Sequence, residues 1–68
     1  MRLSARNQIA GVIRSVDRGA TTSIVRLDCD GTVIVASITN DAVDELGLKP
    51  GAPARAVIKA SDVIIATG

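Results

Sequence analysis

The chain has no Phe, Trp, Tyr or His and only one Cys among its 68 residues. A hydrophobic core must therefore come from Val, Ile, Leu and Ala, which bury less area per residue than aromatic side chains do. A single domain of this size, residues 1–68, is hard to stabilise alone, and small domains commonly add disulfides, a metal or partner subunits. Because Cys29 is alone and His is absent, the sequence predicts that identical chains associate.

The charge distribution argues against nucleic acid and membrane partners. Eight basic and seven acidic residues give a net charge of +1, and no run of Lys or Arg occurs. Single-strand binders also use aromatic platforms for base stacking, which this chain lacks. The start of the chain does not read as a signal peptide, and no apolar run reaches the ~20 residues of a membrane span. We therefore expect a cytoplasmic protein.

Alternating apolar and polar residues predict a chain made mostly of strands. Gly11 interrupts the first strand and indicates a bulge, a bend or a close backbone approach. Asp30-Gly31 is a strong hairpin signal between two β-branched runs. The third strand is nearly continuously apolar, which favours a central position or burial by a partner. The predicted strands cover residues 8–16, 21–29, 32–38, 52–59 and 63–66.

One short helix is predicted after the third strand. Thr39 is a good N-cap, Val43 and Leu46 lie three residues apart on one face, and Gly47 ends the helix. The order of elements is strand, strand, strand, helix, strand, strand. The sequence therefore predicts an all-β fold, a five-stranded OB-like Greek-key barrel with one short helix between strands 3 and 4.

The sequence does not show the groupings of side chains that catalysis or metal binding requires. A conventional metal site needs clustered His, Cys or carboxylates, and the acidic residues here are scattered through turns. A nucleophilic Ser or Cys would need a base, and no His is present. No Gly-rich phosphate loop occurs either. We expect no enzyme activity, no metal ligands and no cofactor.

Two short polar segments indicate oxyanion binding instead. They are SARN at residues 4–7 and KAS at residues 59–61, with Thr39 between them in the chain. Taken alone, each of these three features has an ordinary structural explanation. They are, in chain order, a solvent-exposed N-terminal segment, a helix cap and a turn. Together they supply a guanidinium, an ammonium and several hydroxyls, which can surround a tetrahedral dianion. The free N–H groups of a helix start would add to them.

These segments resemble the molbindins, small molybdate-binding proteins built from one Mop (TOBE-like) domain. The resemblance covers essentially the whole chain. It is carried by four segments in the same order: SARNQ (4–8), ASIT (36–39), LGLKPG (46–51) and IKAS (58–61). It implies an OB-like barrel that assembles into a hexamer, a trimer of dimers, with molybdate or tungstate at the subunit interfaces.

The resemblance also assigns site residues. One subunit supplies the Ser and Arg of the first segment and the Lys-Ala-Ser segment, while its neighbour supplies the Thr at the helix start. The family usually has Ser three residues after that Thr, where this chain has Ala42, so a side-chain donor is lost. The implied molybdate-binding residues are Ser4, Arg6, Thr39, Lys59, Ala60 (through its backbone) and Ser61.

The function that follows is reversible binding of molybdate, and of tungstate, for intracellular storage. Two other classes stay open. One is a molybdate-responsive regulatory or assembly module that acts through protein partners, which a molybdate-dependent pull-down would reveal. The other is an OB protein that binds nucleic acid, which salt-dependent oligonucleotide binding would reveal.

Overall fold

The computed structural model describes residues 6–68 of the chain. Four antiparallel strands form one sheet in the order β3-β2-β1-β4. Among the described residues, no helix is long and apolar enough to cross a membrane. The elements are β1 (Asn7–Arg18), β2 (Thr22–Cys29), β3 (Thr32–Thr39), α1 (Asn40–Leu46), β4 (Pro53–Ile58) and a 3₁₀ turn (Ala60–Asp62).

The inward-facing side chains of β2 form the centre of the core. Leu27 pairs with Ile13 on β1 and with Ile34 on β3, and it is 5% exposed. Val25, two residues before it on the same face, and Val43 from α1 are also buried. The alternation that the sequence indicates for the second strand is thus confirmed. All fully buried hydrophobic side chains of residues 6–68 are aliphatic, as the composition requires.

A bulge at Arg14 changes the alternation along β1. Ile13 pairs with Leu27, but the next pair begins at Ser15, which leaves Arg14 without a cross-strand partner. The extra residue turns Val16 to the same inner face as Ile13, where it packs against the core. A strictly alternating strand over residues 8–16 would instead place Val16 on the face opposite Ile13.

Gly11 lies where β1 approaches β2 closely, which confirms the close approach expected from the sequence. A Cβ atom at Gly11 would be 2.5 Å from the backbone oxygen of Asp28 and 2.9 Å from Sγ of Cys29. The backbone of β2 would have to move to make room, because a carbonyl oxygen cannot rotate away as a flexible side chain can.

We expect Gly11→Ala to lower the free energy of unfolding by about 1–3 kcal/mol through this overpacking. Chemical denaturation measures the change. Ala10→Val is the matched control, because Ala10 is the adjacent exposed strand residue, and we expect it to change the free energy by only about 0.5 kcal/mol. Equal effects of the two substitutions would contradict the close approach.

The β2–β3 hairpin and the helix ends follow local sequence signals. Asp30 and Gly31 both have positive φ, 54° and 93°, as a two-residue hairpin turn requires. Thr39 caps α1, since its Oγ1 accepts a hydrogen bond from the backbone N–H of Ala42 at 3.1 Å. Gly47 ends the helix in the left-handed conformation, with φ 63°. The hairpin, the cap and the helix end are all confirmed.

A buried hydrogen bond ties the helix start to β2. Ser23 is 1% exposed, and its hydroxyl donates to the side-chain oxygen of Asn40. The amide nitrogen of Asn40 in turn donates to the carbonyl of Gly19 at 3.1 Å. The polar side chain of Ser23 is therefore satisfied inside the apolar core, and the first residue of α1 is fixed against the sheet.

The end of the chain departs from the sequence-based expectation. Residues 63–66 form no strand, and Ile64 and Ile65 are 91% and 83% exposed. Within residues 6–68, β3 lies at an edge of the sheet, so the first of the two alternatives for this strand, a central position, is wrong, and burial by a partner stays a prediction. The chain therefore forms an open four-stranded sheet with one helix, and the five-stranded closed barrel is not formed by the described residues. Alternation alone could not show which strands would find partners.

Candidate functional site

The pairing of β1 with β4 brings two of the candidate cations to one end of the sheet. The antiparallel register contains six pairs, beginning with Asn7 opposite Ile58. Arg6 and Lys59 are the residues that adjoin this last pair, Arg6 before Asn7 and Lys59 after Ile58. Residues 51 positions apart in the chain pair at this point, so the geometry depends on long-range sheet pairing. Arg6 and Lys59 are both exposed.

Two hydrogen bonds fix the shape of this end of the sheet. The side-chain amide of Asn7 donates to the carbonyl of Ile58 at 3.2 Å, which holds the last residue pair of the two strands together. The 3₁₀ turn follows directly, with the N–H of Asp62 donating to the carbonyl of Lys59 at 2.9 Å. The turn sets exposed Ser61 just beyond Lys59. Three of the candidate residues, 59–61, therefore lie in or next to one compact turn.

We use the name basic end for Arg6 together with residues 59–61. Its two cations are not neutralised by ion pairs within residues 6–68: the ion pairs there join Arg18 with Asp44 and Arg26 with Asp17. Two like charges near one end of a sheet repel weakly in water and attract an anion. In a single chain the basic end is exposed, so solvent and salt screen its attraction for an anion.

The sequence alone did not single out Asn7, whose side-chain amide joins β1 to the end of β4 next to the basic end. The only available signal was its place directly after Arg6 in the SARN segment. Ser4 of the same segment lies outside the described residues, so its predicted role stays a prediction.

Thr39 lies at the opposite end of the sheet from the basic end. β3 runs parallel to β1 in this four-stranded order, so its last residue lies near the last residues of β1 and not near Asn7. Thr39 pairs with Thr22, the first residue of β2. One chain therefore brings Arg6 and residues 59–61 together but does not bring Thr39 to them.

The first N–H groups of α1 are largely engaged within the chain. The N–H of Asn40 donates to the carbonyl of Thr21 at 2.9 Å, and the N–H of Ala42 donates to Oγ1 of Thr39. The hydroxyl hydrogen of Thr39 is still able to point outward, because Oγ1 acts only as the acceptor in this cap. A hydrogen bond from the N–H of Ala42 to a ligand would require the cap to open.

The charged pair nearest the helix has a structural role. Nη1 of Arg18 donates to Oδ1 of Asp44 at 2.8 Å, and this hydrogen bond lowers the pKa of the Asp44 carboxyl. Both side chains are well exposed, so the pair contributes little to stability. It leaves Arg18 engaged at the end of β1 that is remote from the basic end.

The donor set suits a hydrogen-bonded oxyanion better than a directly coordinated metal. Within residues 6–68, no group of three or more His, Cys, Asp or Glu side chains is placed to hold a metal ion. Arg, Lys and hydroxyl side chains instead donate hydrogen bonds to a ligand, and a guanidinium recognises oxyanions through its planar set of donors.

The comparisons with known proteins agree on one family. The TOBE domain family model matches residues 3–65. Molybdenum-pterin-binding protein 1 of Clostridium pasteurianum is 44% identical over 66 residues, which are 96% of this chain and 97% of that protein. The molybdenum transport protein ModE of Herbaspirillum seropedicae is 49% identical over 65 residues. Those residues are 94% of this chain but span only 24% of ModE.

Solved structures share the fold. MopII from Clostridium pasteurianum superposes with a TM-score of 0.90 at 40% identity, covering 97% of this chain and all of that one. The cytoplasmic molybdate-binding protein ModG, with molybdate bound, gives 0.91 at 52% identity, covering 94% of this chain and 46% of ModG. The family match over residues 3–65 and the nearly full-length relative establish that this chain belongs to the TOBE domain family of molybdenum-pterin-binding (Mop) proteins.

Proposed function

We propose that the chain binds molybdate reversibly, and tungstate by the same chemistry, for intracellular storage of the oxyanion. The observation that supports the proposal is the basic end, where Arg6 and Lys59 adjoin the last residue pair of β1 and β4, beside the turn of residues 60–62. The similarity to ModG, a protein described as a cytoplasmic molybdate-binding protein, supports both the ligand and a cytoplasmic location. No enzyme activity is part of the proposal.

The chemistry is capture without covalent change. Arg6 and Lys59 balance the charge of the dianion, and the hydroxyls of Ser4 and Ser61 donate hydrogen bonds to its oxygens. Ala60 contributes through its backbone. Hydrogen bonds to a charged oxyanion are roughly twice as strong as neutral ones, so a few donors at fixed positions are sufficient to hold it.

The proposed site is shared between copies of the chain. The basic end of one copy lacks Thr39, which lies at the other end of its own sheet, so Thr39 of a second copy completes the donor set. Contact with a second copy also removes water from the exposed Arg6 and Lys59, which strengthens their attraction for the anion. We propose six copies in the assembly, arranged as a trimer of dimers.

Selectivity must rest on size. Sulfate has the same charge and tetrahedral shape as molybdate and is smaller, so fixed donors that reach molybdate oxygens would not all reach those of sulfate. Tungstate closely matches molybdate in size. We therefore expect molybdate and tungstate to bind similarly and sulfate to bind much more weakly.

Thermal unfolding with added oxyanion tests this function. A ligand that binds only the folded assembly at 100 times its Kd adds about 2.7 kcal/mol. We expect the Tm to rise with molybdate and with tungstate and to change little with sulfate at equal concentration and ionic strength. Calorimetric titration gives the stoichiometry directly, whereas intrinsic fluorescence is unsuitable because Trp and Tyr are absent. Equal Tm shifts for all three anions would indicate general screening and contradict a site.

A second candidate function is a regulatory or assembly module. It is favoured by the observation that some relatives are much longer: the chain spans 24% of ModE and 16% of the molybdenum import ATP-binding protein ModC of Rhizobium meliloti. Recovery of a specific partner protein only when molybdate is present would support this function over storage. Recovery independent of molybdate would contradict it.

A further inference from the structure

Ser23 is a polar residue at the centre of an apolar core. It is 1% exposed and is the one polar or charged side chain that is buried within residues 6–68. Val25 and Leu27, the next two residues on the same face of β2, are buried and apolar. A hydroxyl at such a position lowers stability unless it has a hydrogen-bond partner, whereas an Ala would need none. The hydroxyl of Ser23 therefore has a role that core packing alone does not explain.

The partner of Ser23 is Asn40, the first residue of α1, which is held at three points. The Ser23 hydroxyl donates to its side-chain oxygen, and its side-chain nitrogen donates to the carbonyl of Gly19 at 3.1 Å. Its backbone N–H donates to the carbonyl of Thr21 at 2.9 Å. All three contacts are made with the β1–β2 turn and the start of β2. The junction between β3 and α1 is therefore attached to the sheet by the side chain of Asn40 as well as by its backbone.

Thr39 lies directly before Asn40 and is fixed on both sides. Its backbone pairs with Thr22 at the end of β3, and its Oγ1 accepts a hydrogen bond from the N–H of Ala42 at 3.1 Å. Thr39 is nevertheless exposed, and its hydroxyl hydrogen is able to point toward solvent. The hydroxyl oxygen thus has a position set by the fold, while its hydrogen is available to an acceptor.

We propose that Asn40 and Ser23 are positioning residues, which hold Thr39 in the orientation in which its hydroxyl donates to an oxyanion at the basic end of a second copy. The inference rests on the proposed function and deepens it by naming residues that set the affinity of the site without touching the anion. Their contribution is large because Thr39 is the one side chain that the second copy supplies, since Ala42 has no hydroxyl. A donor that is fixed before binding loses little conformational entropy when the anion arrives.

Ser23→Ala tests the positioning role, because it removes the hydroxyl that holds the Asn40 side chain and leaves a small residue in the core. We expect the Kd for molybdate, measured by calorimetric titration of the assembled protein, to rise about 10-fold, as is typical when a group that orients a metal ligand is lost. Ser15→Ala is the control, because it makes the same chemical change on β1, opposite Arg26, and should leave the Kd nearly unchanged.

A double-mutant cycle separates positioning from a general loss of stability. If Ser23 acts through Thr39, Ser23→Ala should raise the Kd by less than about twofold in a Thr39→Val background, because the hydroxyl being positioned is already absent. In a Ser61→Ala background, which removes a hydroxyl of the basic end, the rise should remain about 10-fold. Equal rises in the unmodified, Thr39→Val and Ser61→Ala backgrounds would show a merely structural effect and overturn the proposal.

Hydrogen exchange on the unmodified protein gives a measurement that does not depend on the folding of a variant. The N–H groups of Asn40 and Ala42 are hydrogen-bonded within the chain, so their exchange should be slow without molybdate and change little when it is added. Fast exchange that becomes slow only with molybdate would mean that the anion itself orders Thr39, which would overturn the proposal.

The two proposals fail in different ways. Absence of molybdate binding by the unmodified protein would contradict the proposed function and the positioning role with it. Normal binding by the unmodified protein together with an unchanged Kd in Ser23→Ala would overturn the positioning role alone.

Discussion

Replacing Arg6 with Ala is expected to weaken molybdate binding by about 2–5 kcal/mol, the cost of truncating one member of a desolvated charge pair. This corresponds to a rise in Kd of roughly 30-fold to several thousand-fold. The physical reason is that the dianion would face Lys59 alone in a site from which the second copy excludes water. Calorimetric titration of the assembled protein measures the change. Lys59→Ala is expected to have an effect of the same order.

Arg55→Ala is the matched control for both substitutions. Arg55 lies on β4, four residues before Lys59, but it pairs with Ala10 and its Nη1 donates to Oε1 of Gln8 at 3.2 Å. It lies outside the basic end, so its removal changes the net charge by the same amount without touching the proposed site. We expect nearly normal binding. If Arg55→Ala and Arg6→Ala lose the same small amount of affinity, the loss reflects only the change in the protein's net charge, and the site assignment is wrong.

Assembly without ligand should survive the loss of either cation. Arg6 and Lys59 are exposed, and among the described residues they take part in no ion pair. In the proposed assembly, burial of apolar surface drives association, and removing one cation relieves like-charge repulsion at the basic end. Light scattering on the variants separates a loss of the site from a loss of the assembly.

Leu27→Ala is expected to cost about 2–5 kcal/mol of unfolding free energy, as for other buried Leu side chains. Leu27 is 5% exposed and belongs to the small cluster of buried aliphatic residues at the centre of the sheet. A 68-residue domain has only roughly 3–10 kcal/mol of stability at ~0.05–0.15 kcal/mol per residue. Chemical denaturation should therefore show a chain that is marginally folded or unfolded.

The control for Leu27→Ala is Val35→Ala on β3. Val35 is 59% exposed and lies opposite Arg26 on the outer face of the sheet. We expect its truncation to change stability by less than about 1 kcal/mol, as is usual for surface positions. Comparable losses at the two positions would show that the outer face is buried in the assembly to the same degree as the core.

The parts of the fold that could be predicted from the sequence are those fixed by neighbouring residues. The alternation of β2 sorts Val25 and Leu27 to one face, and Asp30-Gly31 adopts the positive φ angles of a two-residue turn. Thr39 and Gly47 mark the ends of α1 because capping uses side chains and backbone within one helical turn. Each of these features has a local physical cause that the sequence displays.

The features that could not be predicted depend on distant parts of the chain. The bulge at Arg14 lies just beyond Val12, where the pairing of β1 with β4 ends, and alternation along β1 does not show where that pairing ends. The run at residues 63–66 has strand composition, yet it pairs with no strand within residues 6–68. Strand propensity describes what a segment can form and does not state which chain it pairs with.

The candidate site shows the same division. Residue types alone indicated oxyanion binding, because guanidinium, ammonium and hydroxyl groups suit a dianion. That Arg6 and Lys59 lie at the same end of the sheet became visible only through the register of β1 and β4, which pairs Asn7 with Ile58. The separation of Thr39 from them follows from strand order, which requires knowing how four strands pair.

The placement of Thr39 and the basic end at opposite ends of one sheet has a consequence for how such a store would respond in a cell. If each anion needs groups from two copies, the apparent affinity depends on the concentration of the protein as well as on that of the anion. Dilution separates the copies and thereby releases molybdate, and bound molybdate in turn favours association. The reason is that association of copies and binding of the anion are linked equilibria, and the linkage is reciprocal. A cell that makes more of the protein would then have more binding sites, and the apparent affinity of each site for the anion would also be higher.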